Sequence, residues 1–459
     1  MLAYIIRRLL LLIPTLLGIT ILVFSVMAAA PGGISAQSIT GGLDMKPAQR
    51  EALENYYNKR YGLDDPAPVQ YLRWLNNISP IGFKIDDDNN FGAFSLTKGS
   101  DLGQSFNYGR GVSELIKERL RITLLLNVIT IPLIFIISII IGVKAATDRG
   151  GRFDTASSVT LLGLWSIPSM LAGVLLIGFF ANIQHWQWFP TSGLSERLAL
   201  DMTFMPSGLS FLSVAKIFLG ISLGTVLMVS LALWKKTTTR IVIAALIGAA
   251  IGFAMSRAHP ETLLINQLLL PILGAATLAL LAWSDFPVFK IGGLGLFGAG
   301  IGLVAAFNMI EEPLIRGFLF DRAWHLVLPV ITLSYGGFAF LAKLTRTSIL
   351  ENLQADYART ARAKGVSEGD VLWKHVFRNS LMPLITVTAG LLPSLLAGSL
   401  IVETIFSING MGQLALEAVK SRDRELILSI TLISGFLTLI GYLIADFLYT
   451  IVDPRVSYE

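Results

Sequence analysis

The chain is expected to be an all-α polytopic membrane protein, and three features of its sequence say so. Hydrophobic residues make up 53% of its 459 positions and charged ones 15%. Mean hydropathy is +0.66. About ten apolar runs approach the ~20 residues that a helix needs to cross a hydrocarbon core about 30 Å thick. In lipid every backbone polar group needs an internal partner, so these runs are read as helices.

The first run, 9–30, follows Arg7 and Arg8 and ends in Ala28, Ala29 and Ala30. That pattern resembles a secretory signal, but a signal core is ~7–15 residues, so an uncleaved first span is expected. The segment 31–121 is too polar to span. It reads as a small folded region, with a polar helix candidate over 47–61, turn signals at 62–68 and an aromatic stretch through Trp74. Its Asp86, Asp87 and Asp88 are read as a solvated acidic turn rather than a cation site. Further framework spans are expected at 122–143, 159–183, 326–344, 381–402 and 427–452.

Between the third and fourth framework spans, residues 194–322 carry four weaker runs at 214–234, 241–255, 263–283 and 291–310. Short cytoplasmic loops collect Lys and Arg. With Arg7 and Arg8 inside, Lys144, Arg149, Arg152, Lys235, Lys236 and Arg240 also fall inside, and so does the basic loop 343–378. The loop stays inside only if the insertion crosses an even number of times, so two or four spans are allowed. The run 241–255 is the doubtful one, because 15 residues of helix reach only about 22 Å. Gly248 with Gly252, and Gly298 with Gly302, have the spacing that lets membrane helices approach closely, although glycine is also simply common in such helices. Trp186, Trp188, Trp234, Trp283 and Trp324 lie at or just beyond expected span ends, where the headgroup level suits them.

The domains implied are a first helix at 1–30, an extracytoplasmic region at 31–121, a core with helices two and three at 122–193, the hydrophobic insertion at 194–322, and a second core part at 323–459. The sequence has no cysteine, which rules out disulfides, thiolate metal sites and cysteine nucleophiles. Its formal charge of +5 is spread over short loops, so membrane orientation accounts for it better than nucleic-acid binding.

The most informative stretch is 354–383, DYARTARAKGVSEGDVLWKHVFRNSLMP preceded by Gln354 and Ala355. Residues 355–364 are good helix formers, Gly365 suits the left-handed conformation that ends a helix, and Ser367 with Asp370 resembles a capping box. A helix, tight turn and helix are expected. In the second helix Val371, Leu372, Val376 and Phe377 gather on one side while Arg378 and Asn379 face elsewhere. Such a face suits a groove on a partner protein or the membrane interface equally well.

This loop resembles the cytoplasmic coupling motif of binding-protein-dependent ABC importer permeases, in particular the B-type subunits of the dipeptide and oligopeptide (peptide/nickel) family. The residues that carry the likeness are Tyr357, Thr360, Ala361, Ala363, Lys364, Gly365, His375, Asn379 and Pro383. Arg359, Thr360 and Ala361 stand where the general importer pattern has Glu-Ala-Ala, a departure shared by the peptide subfamily. Further family-like segments follow in order, among them IIRRLLLLIPTLLGITILVF, YGLDDPAPVQYLRWL, DLGQSF, RLRITLLL, FPTSG, HLVLPVITLS, VETIFSINGMG and DFLYTIVDPRVSYE. They cover nearly all of the chain outside the insertion.

The resemblance implies a type I importer transmembrane domain with six framework helices plus two to four inserted ones, four if every run crosses. It implies a non-catalytic permease that translocates peptides or similar small solutes delivered by an external binding protein, in the bacterial inner membrane with both termini cytoplasmic. The implied partners are a second homologous permease and two ATP-binding-cassette ATPases, which bind the ATP and Mg. No Gly-x4-Gly-Lys-Ser/Thr phosphate loop occurs here, so the chain must borrow its energy. The ATPase-coupling residues expected are Asp356, Tyr357, Arg359, Thr360, Ala361, Arg362, Ala363, Lys364, Gly365, Val366, His375 and Asn379, within a loop at 354–380.

The rival reading is an ion-coupled secondary transporter or channel acting without an ATPase, but such proteins place ionisable groups at mid-span. An intramembrane enzyme would need a Ser–His or paired-carboxylate set at matching depth. Glu403 and Asp446 are read as structural acids at span ends, Asp446 within reach of Arg455. His185, His259 and His325 lie near span boundaries without metal-ligand spacing and are read as interface anchors.

Overall fold

A computed structural model describes residues 2–30, 46–85, 91–182, 184–258, 264–284, 286–310, 315 and 317–452. It divides into two compact units, one comprising Met1–Ser169 with Thr332–Glu459 and the other Met170–Ile331. Among the described residues seven helices are long and apolar enough to cross a membrane, or eight if one bent pair is a single span.

In the first unit, α1 (Leu2–Ala29) is followed by a polar segment built from α2 (Pro47–Tyr61), α3 (Ala67–Ile78) and an antiparallel hairpin of β1 (Gly82–Ile85) and β2 (Phe91–Ser95). Gly62 ends α2 at φ +60°, where a side chain would also meet Arg73. The α3 helix turns its aromatic side onto the end of α1. There Tyr71 and Trp74 are buried with Phe24 and Leu428, and the Tyr71 hydroxyl lies 2.9 Å from Thr20 Oγ1. The polar helix read from the sequence is present with the same bounds; Asp86, Asp87 and Asp88 lie outside the described residues.

The next helix, α4 (Val112–Thr147), has 36 residues, far longer than the apolar run 122–143 within it. At about 1.5 Å per residue it reaches about 54 Å. Hydropathy marks only its lipid-level part, whereas helix propensity carries on through the polar Ser113–Arg121 end. The expected span 159–183 is not one continuous helix. It is broken into α5 (Arg152–Ser166) and α6 (Ser169–Phe180), because Pro168 offers no N–H and drives Ile167 to an extended φ −82°, ψ 121°.

The second unit holds α6, a loop with a single 3₁₀ turn at Arg197–Asp201, and four helices. They are α7 (Phe211–Ala232), α8 (Thr237–Ala258), α9 (Leu264–Trp283) and α10 (Leu294–Asn308), the last preceded by a π-helical turn at Val288–Gly293. The doubtful run 241–255 is therefore a correction: α8 has 22 residues, since its first turn of threonines is helical without being apolar. Two glycine seams join the helices in pairs. A Cβ on Gly248 would lie 2.1 Å from the Gly274 carbonyl oxygen, and one on Gly302 would lie 1.9 Å from that of Gly220. Both small-residue spacings thus mark true backbone contacts.

The long α11 (Gly317–Leu353) then leads to the polar hairpin described below, followed by α14 (Met382–Ile405), α15 (Met411–Lys420) and α16 (Arg424–Val452). Within the first unit α16 packs against α1 and α14. The α4 and α11 helices meet at Gly142, where a Cβ would sit 2.5 Å from that of Thr345.

Candidate coupling hairpin and the polar contacts that seat it

The hairpin consists of α12 (Asp356–Ala363) and α13, a helix over 368–380 whose middle, Val371–Val376, is π-wound. Between them Gly365 takes φ +80° with open space where a Cβ would stand. Its N–H donates to Arg362 O, and the Val366 N–H reaches Ala361 O at 3.2 Å, which closes the end of α12. Ser367 caps α13 by accepting from Asp370 N–H at 3.2 Å. Asp370 pairs with Lys374 at 2.8 Å, and the Lys374 and Ser367 contacts hold its carboxyl below the usual range. Arg362 bridges the two arms, donating to Glu368 Oε1 at 2.9 Å and to Leu353 O at 3.0 Å.

The apolar side of the hairpin is not free. Ala358, Ala361, Val371, Leu372 and Val376 are buried with Val143 and Ala146 of α4 and Ile349 of α11. Both earlier readings of that face, a partner groove or the membrane interface, are corrected by this packing: the chain's own helices cover it. A polar face remains outward. Asp356, Tyr357, Arg359, Thr360, Ala363, Lys364, Gly365, His375 and Asn379 are exposed, Arg362 and Val366 half-buried, and Ala361 buried. Tyr357 is oriented by donating from its hydroxyl to Asn352 Oδ1 at 2.5 Å.

Three features escaped the sequence reading. Trp373 stands 55% exposed on this otherwise polar surface, stacked obliquely with Phe377 at 5.0 Å. At the base, Ser348 Oγ donates to Ser380 O at 3.0 Å, tying the end of α13 to α11. Two residues earlier, Arg346 makes a two-pronged contact with Asp154 of α5 at 2.5 and 2.6 Å. A charge at the end of an apolar run hints at such a partner, but only the fold says which residue answers it.

The remaining candidates are placed as follows. Glu403 is fully buried, accepting from Thr123 Oγ1 at 3.0 Å and from Gln413 N–H at 2.9 Å, while Thr123 accepts from Met411 N–H. Together they satisfy the first turn of α15. Asp446 is half-buried on α16; Arg455 lies outside the described residues. His325 is buried with Nδ1 2.8 Å from Asp321 O, and His185 lies 5.2 Å from the Phe179 ring. His259 lies outside the described residues. Among the described residues no group of three potential metal ligands gathers.

At the start of α16 a second polar cluster joins distant segments. Ser105 Oγ donates to Asp423 Oδ2 at 2.5 Å, and Arg424 donates to Gln70 Oε1 at 2.8 Å and pairs with Glu425. Burial pushes the Asp423 carboxyl up despite the Ser105 hydroxyl and the backbone N–H groups of Asn107 and Leu426 that donate to it. The DLGQSF segment is thereby docked on the start of the last helix.

Long apolar helices carrying an exposed polar hairpin define a polytopic membrane protein. Residues 1–127 match the N-terminal family model of binding-protein-dependent transport system membrane components, and residues 268–458 match the inner membrane component model. The chain belongs to this family, the permease subunits of ABC importers, which are non-catalytic membrane components working with ATPase and binding-protein partners. It is 32% identical to the oligopeptide transport system permease protein AppB of Bacillus subtilis, with all of both chains covered. It is 28% identical to the dipeptide transport system permease protein DppB of Alkalihalophilus pseudofirmus, again over all of both chains. With the inner membrane ABC transporter permease protein YejB of Escherichia coli O157:H7 it shares 26% identity over 100% of this chain and 99% of that one.

Proposed function

We propose that this permease translocates peptides and that its 354–380 hairpin is the seat of the ATPase, facing the cytoplasm with both termini. The cargo follows from the peptide-transport names of its relatives. The sidedness follows from the basic loops flanking the spans. The observation that carries the coupling role is that the hairpin is rigidly seated on α4 and α11 by its own apolar face while Tyr357, Trp373 and Lys364 stay outward.

A lever must be stiff at its root and adhesive at its tip. Here Arg346–Asp154 and Ser348–Ser380 stiffen the root. ATP and Mg, bound by partner subunits, would draw two such hairpins together, one on this chain and one on a second permease, and so rock the spans between inward-open and outward-open states.

The test is Trp373→Ala in the assembled transporter. A large exposed aromatic at the centre of an interface is worth about 2 kcal/mol or more of binding. Co-purification of the ATPase should therefore fall at least about tenfold, with the permease's own melting temperature unchanged. Unaltered ATPase retention and transport would remove the hairpin from the coupling role.

A further inference from the structure

The four-helix part of the second unit has one end unlike the other. At that end α7 finishes, α8 starts, α9 finishes and α10 starts, all packed round Leu231, Ala232, Ala244, Leu278, Ala282 and Leu294. Arg240 fastens the end: its side chain is buried and donates to Ala282 O at 2.7 Å, in the last turn of α9, and to Trp234 O at 3.0 Å, just past the end of α7. With Arg240 so engaged, three other cations are left on the rim. Lys235 and Lys236 are exposed, and Lys290 is half-buried on the π-helical turn that packs against α7 and α9. No acid lies among the described residues of this end; the only one in the sequence of 228–244 and 278–298 is Asp285.

Two tryptophans flank the lysines, Trp234 at 53% and Trp283 at 41% exposure. Below them the outward sides of the helices are apolar, with Val226, Leu227 and Leu280 exposed. Apolar stem, aromatic collar and basic rim, in that order along the helix axis, match the acyl chains, headgroup boundary and phosphate of a lipid. The opposite end differs. Lys216 there spends its ammonium on Met309 O at 3.4 Å, and Arg257 lies over the Phe253 ring at 5.1 Å.

We propose that the Lys235, Lys236 and Lys290 rim is a binding site for the phosphate headgroup of an anionic phospholipid, held ready by the Arg240 clasp. The site rests on α7–α10 lying in the bilayer and not on the transport reading, so it stands or falls separately. Each lysine near an anionic surface contributes about fivefold to retention at moderate salt.

The test uses the purified full-length chain, delipidated and re-exposed to mixed micelles of phosphatidylglycerol and phosphatidylcholine, with bound lipid counted by native mass spectrometry. Phosphatidylglycerol should be preferred about tenfold or more, and the preference should weaken as salt is raised. Changing Lys235→Gln, Lys236→Gln and Lys290→Gln together should abolish it. The charge-keeping set Lys235→Arg, Lys236→Arg and Lys290→Arg should preserve it, as should Lys216→Gln with Arg257→Gln at the opposite end. Should the glutamine set fail to fold, the arginine set and the Lys216/Arg257 pair still decide: loss of preference in either overturns the proposal. So does a wild-type chain that shows no preference, or a folded glutamine set that keeps it.

Discussion

The hairpin at 354–380 and the glycine-seamed helices α7–α10 solve opposite problems. The hairpin is polar outside and hides its apolar face on α4 and α11, so its shape is set by local signals: Gly365 for the turn, Ser367 for the cap. The four helices are apolar outside and draw their order from within, where a missing side chain on each of two helices lets the backbones touch. In lipid there is no hydrophobic drive to press helices together, so close approach has to be built from small residues and a few polar contacts. An exposed polar surface is thus specified residue by residue, while an apolar one is specified by what it leaves out.

That contrast is tested most severely by filling a seam. In Gly302→Leu the new side chain would collide with the Gly220 backbone, and overpacking without room to shift costs about 3 kcal/mol or more. The α7–α10 pair should separate, seen as loss of a monodisperse peak and a lowered melting temperature. The same change at Gly300, where a Cβ meets nothing within 4 Å, should be nearly silent.

The next effect belongs to the hairpin's root. Asp154→Ala leaves the Arg346 guanidinium without its carboxylate. A fully buried pair broken this way loses roughly 3–5 kcal/mol; because Arg346 remains partly open to solvent, about 2 kcal/mol is expected. Denaturant or thermal unfolding in detergent would measure it, and Asp154→Asn should recover part of the loss.

Smaller again is Gly365→Ala. There is room for the methyl group, so the cost is the left-handed backbone alone, about 1 kcal/mol. The melting temperature should drop slightly, and more in Gly365→Val, whose branched Cβ resists that conformation further.

The smallest concerns pH. Burial raises the Asp423 carboxyl, so the folded chain holds that proton more tightly than the unfolded one. The associated stability is complete below the unfolded value of about 3.9 and is lost as pH rises through the folded value. Melting temperatures across the acid range should show a component that declines with rising pH in the wild type and is missing in Asp423→Asn.

The parts legible in the sequence were those governed by neighbours in the chain. The polar helix Pro47–Tyr61, the Gly365 turn and the Ser367 cap all stand where their residues put them. Both glycine spacings could be seen, but their partners Gly274 and Gly220 could not, since pairing across a seam leaves no local trace. Helix ends were misjudged for the same reason in reverse: hydropathy falls at Arg121 and at Leu344, while α4 and α11 run on as polar helix. The break at Pro168 was written in the chain and was outweighed by the apolar residues around it. In the hairpin, most residues named from the sequence stand outward, but Ala361 is buried and Arg362 and Val366 are half-buried; Trp373 and the Arg346–Asp154 root were not foreseen, because exposure and long-range pairing are properties of the fold.

The sidedness of the hairpin can be read directly, because the chain has no cysteine to confuse a single introduced one. Lys364→Cys, treated with a membrane-impermeant maleimide, should be labelled in inside-out vesicles and not in intact cells, and bound ATPase subunits should protect it. Labelling from the cell exterior, or labelling indifferent to the ATPase, would contradict the account.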